Sequence, residues 1–453
     1  MDGSDTKNTP IAAYKAAIDA FGASGEGSVT LLPEGLIWDG GFGRDALALA
    51  EAEELDFRDS AVTVVTSRGP ARFSRLGGQG QWFYRELLDA YDQMVKKAFG
   101  LRRQPEQVFT GRLGGSEGHS RDGVSIELFP DCLCLLPGNA MGRCLPYGCI
   151  ASLKREGFAL ELKMRTGESY VLSMLGLELE PLEKQIASRL KARRDGDGEL
   201  IRALGADLPF AEAVRASGLF REGAALPLAS LPAGLREALE KKLLNSKMAE
   251  YLPALKALGR PELMALGVKE LPQETVEELK AQLLASLQAG EAPPEGLTAE
   301  QEDALRWALW LVVPGADGSA ALVELAIPGQ DAATYAFRTA DGFESFLNRL
   351  DLGLALTGLE RSVFSLSAEE LARPENQDLR LLLRRSPALT ALREQYIGKA
   401  IHRGLSSWRL AAEKLLAPQP AVEAEGRAQR FCTQCGAKLA PGPRFCTQCG
   451  ARL

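Results

Sequence analysis

Leu145-Pro-Tyr-Gly-Cys-Ile-Ala-Ser-Leu153, Phe158-Ala-Leu-Glu-Leu-Lys-Met164, a turn at Arg165-Thr-Gly167 and Ser169-Tyr-Val-Leu-Ser173 follow one another along the chain. In the second and fourth of these, apolar and polar residues alternate, the two-residue period of a strand with one buried face. Met174-Leu-Gly176 then breaks the pattern, and Leu179 to Leu190 reads as a closing helix. Working back, Val124-Ser-Ile-Glu-Leu-Phe129, Pro130-Asp131 and Cys132-Leu-Cys-Leu135 have the form of a hairpin.

The same grammar occurs earlier. Ser28-Val-Thr-Leu-Leu32 and Leu36-Ile-Trp38 flank a Pro33-Glu-Gly35 turn. Ala61-Val-Thr-Val-Val-Thr66 leads through Ser67-Arg-Gly-Pro70 into Ala71-Arg-Phe-Ser-Arg-Leu76, and Arg75-Leu-Gly77 matches Met174-Leu-Gly176. Phe83 to Phe99 reads as an amphipathic helix with Leu87, Leu88, Tyr91, Met94 and Val95 on one side. The two stretches read as an internal repeat, two copies of one small unit. Several strands and one closing helix describe a half-open β-barrel plugged by a helix, in an α+β multidomain chain.

On its Leu-Pro-Tyr lead-in at 145–147, the hairpin turning at Thr166-Gly167 and the amphipathic end helix, the second copy resembles the bacterial pleckstrin-homology-like domain. The first copy departs from it at Ala48 to Phe57, where Glu51, Glu53 and Glu54 crowd the middle strand. The resemblance implies shape and not binding chemistry. Phosphoinositide recognition would need a basic first hairpin, and Glu34 and Asp131 put acids there instead.

The rest of the chain divides around these copies. Thr9 as cap, Pro10 in the first turn and Ile11, Tyr14, Ile18 and Phe21 on one face predict an N-terminal helix within 1–25. The copies occupy 26–101 and 120–193, with the glycine-rich Gly111–Gly118 stretch as a connector. Residues 199–290 read as helical, clearest from Glu274 to Gln288. In 300–416, strands at Trp310–Val313, Ala321–Ile327 and Thr334–Phe337 precede a helix from Gly342 to Leu356, leaving a third copy open. Ser386-Pro387 starts a further helix, with Leu389, Leu392, Tyr396, Ile397 and Ile401 as its apolar face. Residues 417–430 read as a flexible tether.

At 431–453 the chain carries Phe431-Cys-Thr-Gln-Cys-Gly-Ala-Lys-Leu439 and Phe445-Cys-Thr-Gln-Cys-Gly-Ala-Arg-Leu453. Cys432, Cys435, Cys446 and Cys449 form two Cys-x-x-Cys pairs, a spacing that encloses one tetrahedral Zn2+ in a closed structural site. Gly436 and Gly450 let the backbone turn back toward the thiolates. The apolar shell of Phe431, Leu439, Phe445 and Leu453 is too small to fold without such a staple. The segment resembles the bacterial double zinc-knuckle or zinc-ribbon module.

Composition sets the outer bounds. A chain of 453 residues exceeds a single core, and 45% hydrophobic with 25% charged residues is ordinary for a globular protein. The start of the chain lacks a basic segment leading into an apolar run, so a cytoplasmic location is expected. Trp307–Val313, the most apolar stretch, is too short to cross a bilayer, and no membrane insertion is expected. A net charge of −7 opposes affinity of the whole chain for nucleic acid, yet Arg427, Arg430, Lys438, Arg444 and Arg452 stand at the end without an acid among them.

Catalytic signals are lacking. His119 and His402 have no motif partner, Ser188-Arg-Leu-Lys191 lacks the companion motifs of acyl enzymes, and no phosphate-binding loop is present. Cys132, Cys134, Cys144 and Cys149 read as small core hydrophobes, although a second metal site stays open. The expectation is a non-enzymatic zinc-binding adaptor that meets protein partners or further copies of itself. The alternative is nucleic-acid association through the basic zinc ribbon.

Overall fold

The computed structural model describes residues 9–115, 121–205, 208–288, 297–339 and 341–417. The first unit is an antiparallel sheet of β1 (Ala12–Ala20), β2 (Ala23–Leu32), β3 (Gly35–Gly40), β4 (Gly43–Ala48), β5 (Glu54–Arg58), β6 (Ala61–Thr66) and β7 (Gly69–Ser74). Its order is β4-β3-β2-β1-β7-β6-β5, so the sheet is open between β4 and β5 and does not close into a barrel. The helix α1 (Gly80–Ala98) lays Phe83, Leu87, Tyr91 and Val95 on the inner face. Phe73 lies at its centre, with its ring 5.8 Å from both Trp38 and Phe83.

The predicted N-terminal helix is not formed; β1 stands in its place. Tyr14, Ala16, Ile18 and Ala20 are buried at every second position, the period of a strand. Tyr14 and Ile18 are four apart, a spacing that suits helix and strand alike. The hairpin to β2 turns at Phe21 and Gly22, both with positive φ (52° and 86°).

The second unit has β8 (Gln107–Gly115), β9 (Arg121–Leu128), β10 (Cys132–Leu136), β11 (Arg143–Pro146), β12 (Ile150–Glu156), β13 (Ala159–Met164) and β14 (Ser169–Ser173). Its order, β11-β10-β9-β8-β14-β13-β12, is that of the first sheet, and it is open in the same way. The helix α2 (Leu179–Ala203) follows. The unit begins before residue 120, because the glycine-rich connector is largely β8. Gly111 lies so close to β14 that a Cβ there would meet the Ser173 carbonyl oxygen at 2.8 Å. Glycine here serves strand pairing rather than flexibility.

The third unit mixes α3 (Phe210–Leu219), β15 (Leu226–Pro227), α4 (Ala233–Leu244), α5 (Leu252–Leu258), β16 (Ala265–Glu270), α6 (Gln273–Gln288) and α7 (Ala299–Arg306). Then come β17 (Trp307–Pro314), β18 (Ala320–Ala326), β19 (Ala333–Arg338), α8 (Phe343–Leu356), α9 (Ser362–Ser365), α10 (Ala368–Leu371), α11 (Gln377–Arg385), α12 (Pro387–Gln395), β20 (Tyr396–Ile401) and α13 (Leu405–Leu416). Each strand pairs with its neighbours in sequence, β15-β16-β17-β18-β19-β20, so this sheet does not repeat the order of the other two. Ser386 does cap α12, accepting from the Leu389 N–H at 3.2 Å, but the helix stops at Gln395 and Tyr396–Ile401 forms an edge strand.

All of β17 is buried, which explains its continuous apolar run. Ala308, Trp310 and Val312 join a core shared with the first two sheets, whereas Trp307, Leu309, Leu311 and Val313 join a second core with α4, α5 and α13. The helix α11 ties the third unit to the first: Arg384 and Arg385 each donate at 2.7 Å to the carbonyls of Glu51 and Ala52.

Candidate functional site

The four proposed zinc ligands, Cys432, Cys435, Cys446 and Cys449, lie outside the described residues, as does His119. The described chain ends just after α13, whose Trp408 and Ala412 are buried against the third sheet. Any module at 431–453 is therefore joined covalently to the third unit.

The other four cysteines are free and buried. Cys134 and Cys144 face each other across β10 and β11, with Cys132 two residues along. Burial pushes the Cys134 thiol well above its usual range and the Cys149 thiol up to about 12. Cys144 is pushed up first by a hydrogen bond with Cys132 and then by burial. Thiols so biased toward the protonated form are poor nucleophiles. Among the described residues, no group of three or more His, Cys, Asp or Glu side chains is placed to hold a metal ion.

His402 lies beyond the end of β20 rather than in a helix, in a polar cluster that sequence reasoning missed. Its Nε2 is 3.2 Å from both Thr334 Oγ1 and Glu324 Oε2. Trp408 Nε1 donates to Thr334 Oγ1 at 2.7 Å, and the Thr334 hydroxyl donates to Glu324. With that hydroxyl proton committed, His402 Nε2 carries a proton and donates it to Glu324. Tyr251 stacks on the imidazole at 3.7 Å between centroids. Thr334 is fully buried, so its hydroxyl cannot meet a substrate; the cluster clamps β18, β19 and α13 together.

A second polar node joins the units. Asp351, 1% exposed on α8, accepts from the Ala225 N–H at 3.0 Å and from Trp310 Nε1 at 3.2 Å, and pairs with Arg165 at 3.4 Å. Arg165 belongs to the β13–β14 turn, so one carboxyl connects the second and third units. It borders a cavity of about 1060 Å³ that also touches Cys132, Cys149, Arg193 and Glu222. Burial pushes the Asp351 carboxyl up to about 7, against the opposing pull of Arg165, the Ala225 N–H and the Trp310 indole. The signal for both nodes was present in the sequence: a lone acid within an apolar run, Glu324 in Ala-Leu-Val-Glu-Leu-Ala and Asp351 in Leu-Asp-Leu. Ser188 and Lys191 are both exposed on α2.

Comparison with known proteins adds one finding. Residues 431–453 match the zinc-ribbon domain family, the stretch that holds both Cys-x-x-Cys pairs. That match implies structural zinc binding for this segment and is compatible with contacts to protein or nucleic acid. No curated protein matches the chain. Among the described residues, no helix is long and apolar enough to cross a membrane.

Proposed function

We propose that this protein is a non-enzymatic, zinc-binding adaptor of the cytoplasm, in which a three-sheet body carries a zinc ribbon as a docking head. One structural ion is held by Cys432, Cys435, Cys446 and Cys449. The observation that carries the reading is the pair of Cys-x-x-Cys phrases inside the segment that matches the zinc-ribbon family. Four thiolates at this spacing leave no open position on the ion, so its role is to fold the module and not to activate a substrate. The two seven-stranded sheets of equal order, each followed by a helix, support reading the body as an internal repeat of pleckstrin-homology-like units.

Affinity purification with the full chain and with a version ending at Ala417 tests the adaptor role. A partner held by the full chain and lost with the tail supports docking through the ribbon; a full chain that captures no partner counts against it. Nucleic-acid association is the second reading, favoured by the five basic residues from Arg427 onward. It requires binding that weakens steeply with salt and disappears on deletion of 427–453.

A further inference from the structure

Three apolar side chains stand in solvent at one end of the second sheet: Phe158 is 87% exposed, Met174 74% and Leu177 97%. Because β13 pairs with β14 through Leu160 and Leu172, two further residues of that register place Phe158 opposite Met174. Leu177 follows just past the buried Leu175.

The first sheet supplies an internal control. Arg75 and Gly77 (φ 57° and 58°) repeat the backbone of Met174 and Gly176 (φ 58° and 55°), and Leu76 is buried as Leu175 is. Both sheets also have a two-residue hairpin loop here, Asp59-Ser60 in one and Gly157-Phe158 in the other. Yet the three positions hold Ser60, Arg75 and Gly78 in the first sheet. The loop is thus built equally well without apolar residues, and the fold does not require them in the second. An exposed apolar cluster with no role in folding marks an interaction site.

We propose that this tip docks into an apolar cavity on a second copy of the chain. The cavity, about 350 Å³, lies between α4, α6, α7 and β17, with Leu279, Leu283, Trp307, Leu309 and Ile327 in its walls. An apolar cavity of about 150 Å³ is enough to take benzene. There is room for the Phe158 ring and an aliphatic neighbour such as Leu177.

Charge favours the same match. At the tip, Arg155 pairs with Glu183 and Lys184 with Glu180, whereas Glu156, Glu178 and Lys154 carry no ion pair among the described residues, which leaves a net negative charge. At the cavity, Lys242 is neutralised by Asp303 at 2.6 Å. Lys247 is exposed at the rim, donates to the Gln330 carbonyl and has no ion pair among the described residues. The net uncompensated charges on the two surfaces are opposite in sign, which also turns the tip away from anionic membranes. Tip and cavity occupy different parts of the molecule, so the contact is head-to-tail and builds a ring or a filament. It rests on the body alone and not on the metal assignment.

Sedimentation velocity of the zinc-loaded full chain over a wide concentration range tests this. The triple variant Phe158→Ser, Met174→Arg, Leu177→Gly installs the residues of the first sheet and is expected to weaken association by at least about 30-fold. Lys247→Glu, at an exposed position, is expected to weaken it by up to about fivefold, and adding Glu178→Lys is expected to restore it. A wild-type chain that stays monomeric throughout, or a triple variant that associates like wild type, would overturn the proposal. So would wild-type binding to phosphatidylcholine vesicles that the triple variant loses, which would assign the tip to lipid.

Discussion

Replacing Asp351 with alanine removes the one group that receives the Ala225 N–H, the Trp310 indole and the Arg165 guanidinium together. At pH 8 the carboxyl is mostly ionised, and its loss strands two buried donors and an arginine that is only 22% exposed. Breaking a buried pair in this way costs about 3–5 kcal/mol. The urea midpoint followed by tryptophan fluorescence reads that loss directly. The pH dependence provides a second check. Burial raises this carboxyl from 3.8 to about 7, so the folded chain holds the proton more tightly than the unfolded chain. Its contribution is therefore full below the unfolded value, falls as pH rises to about 7, and is flat above; the span is at most about 4 kcal/mol. Asp351→Asn cannot ionise and lacks that slope, so wild type should lose stability relative to it between those two pH values. An Asp351→Ala variant within about 1 kcal/mol of wild type at pH 8, or a wild-type–Asn difference that does not move with pH, would contradict the role of this carboxyl.

Phe73→Ala should cost about 3–5 kcal/mol, because the ring is fully buried between Trp38 and Phe83; thermal or urea unfolding measures it, and a loss below about 1 kcal/mol would contradict the packing. His402→Phe keeps an aromatic ring against Tyr251 but strips Glu324 of an N–H partner, for an expected loss of about 3 kcal/mol by the same assay. A chain ending at Ala417 retains four cysteines, all buried, and their surroundings favour the protonated thiol at Cys134, Cys144 and Cys149. Thiol labelling of that chain should be slow when folded and reach four groups in denaturant; rapid labelling of the native form would contradict their burial.

What the sequence disclosed followed from local chemistry with one physical reading. The Pro33-Glu-Gly35 hairpin, the strand Ala61–Thr66, the helix from Phe83 and the Ser386 cap each combine a turn or cap residue with one clear period, and all are formed. Elsewhere small residues hide the period. In β1, Ala16 and Ala20 are the inward residues, and alanine is both the best helix former and a weak marker of burial. In β16, Gly267 lies under the Trp310 indole, whose atoms come within 2.0 Å of where a Cβ would stand. That glycine is dictated by a residue far along the chain, and no local pattern could reveal it. The terminal cysteine pairs were legible at once, since their spacing is itself the chemistry, whereas the Asp351 and Glu324 nodes depend on tertiary neighbours from three or more elements.

Elemental analysis of the purified full chain beside the version ending at Ala417 tests whether the terminal cysteine pairs hold the metal. One zinc per full-length chain and none in the shortened one is the expected result. A full chain without zinc, or zinc retained after the last 36 residues are removed, would contradict it.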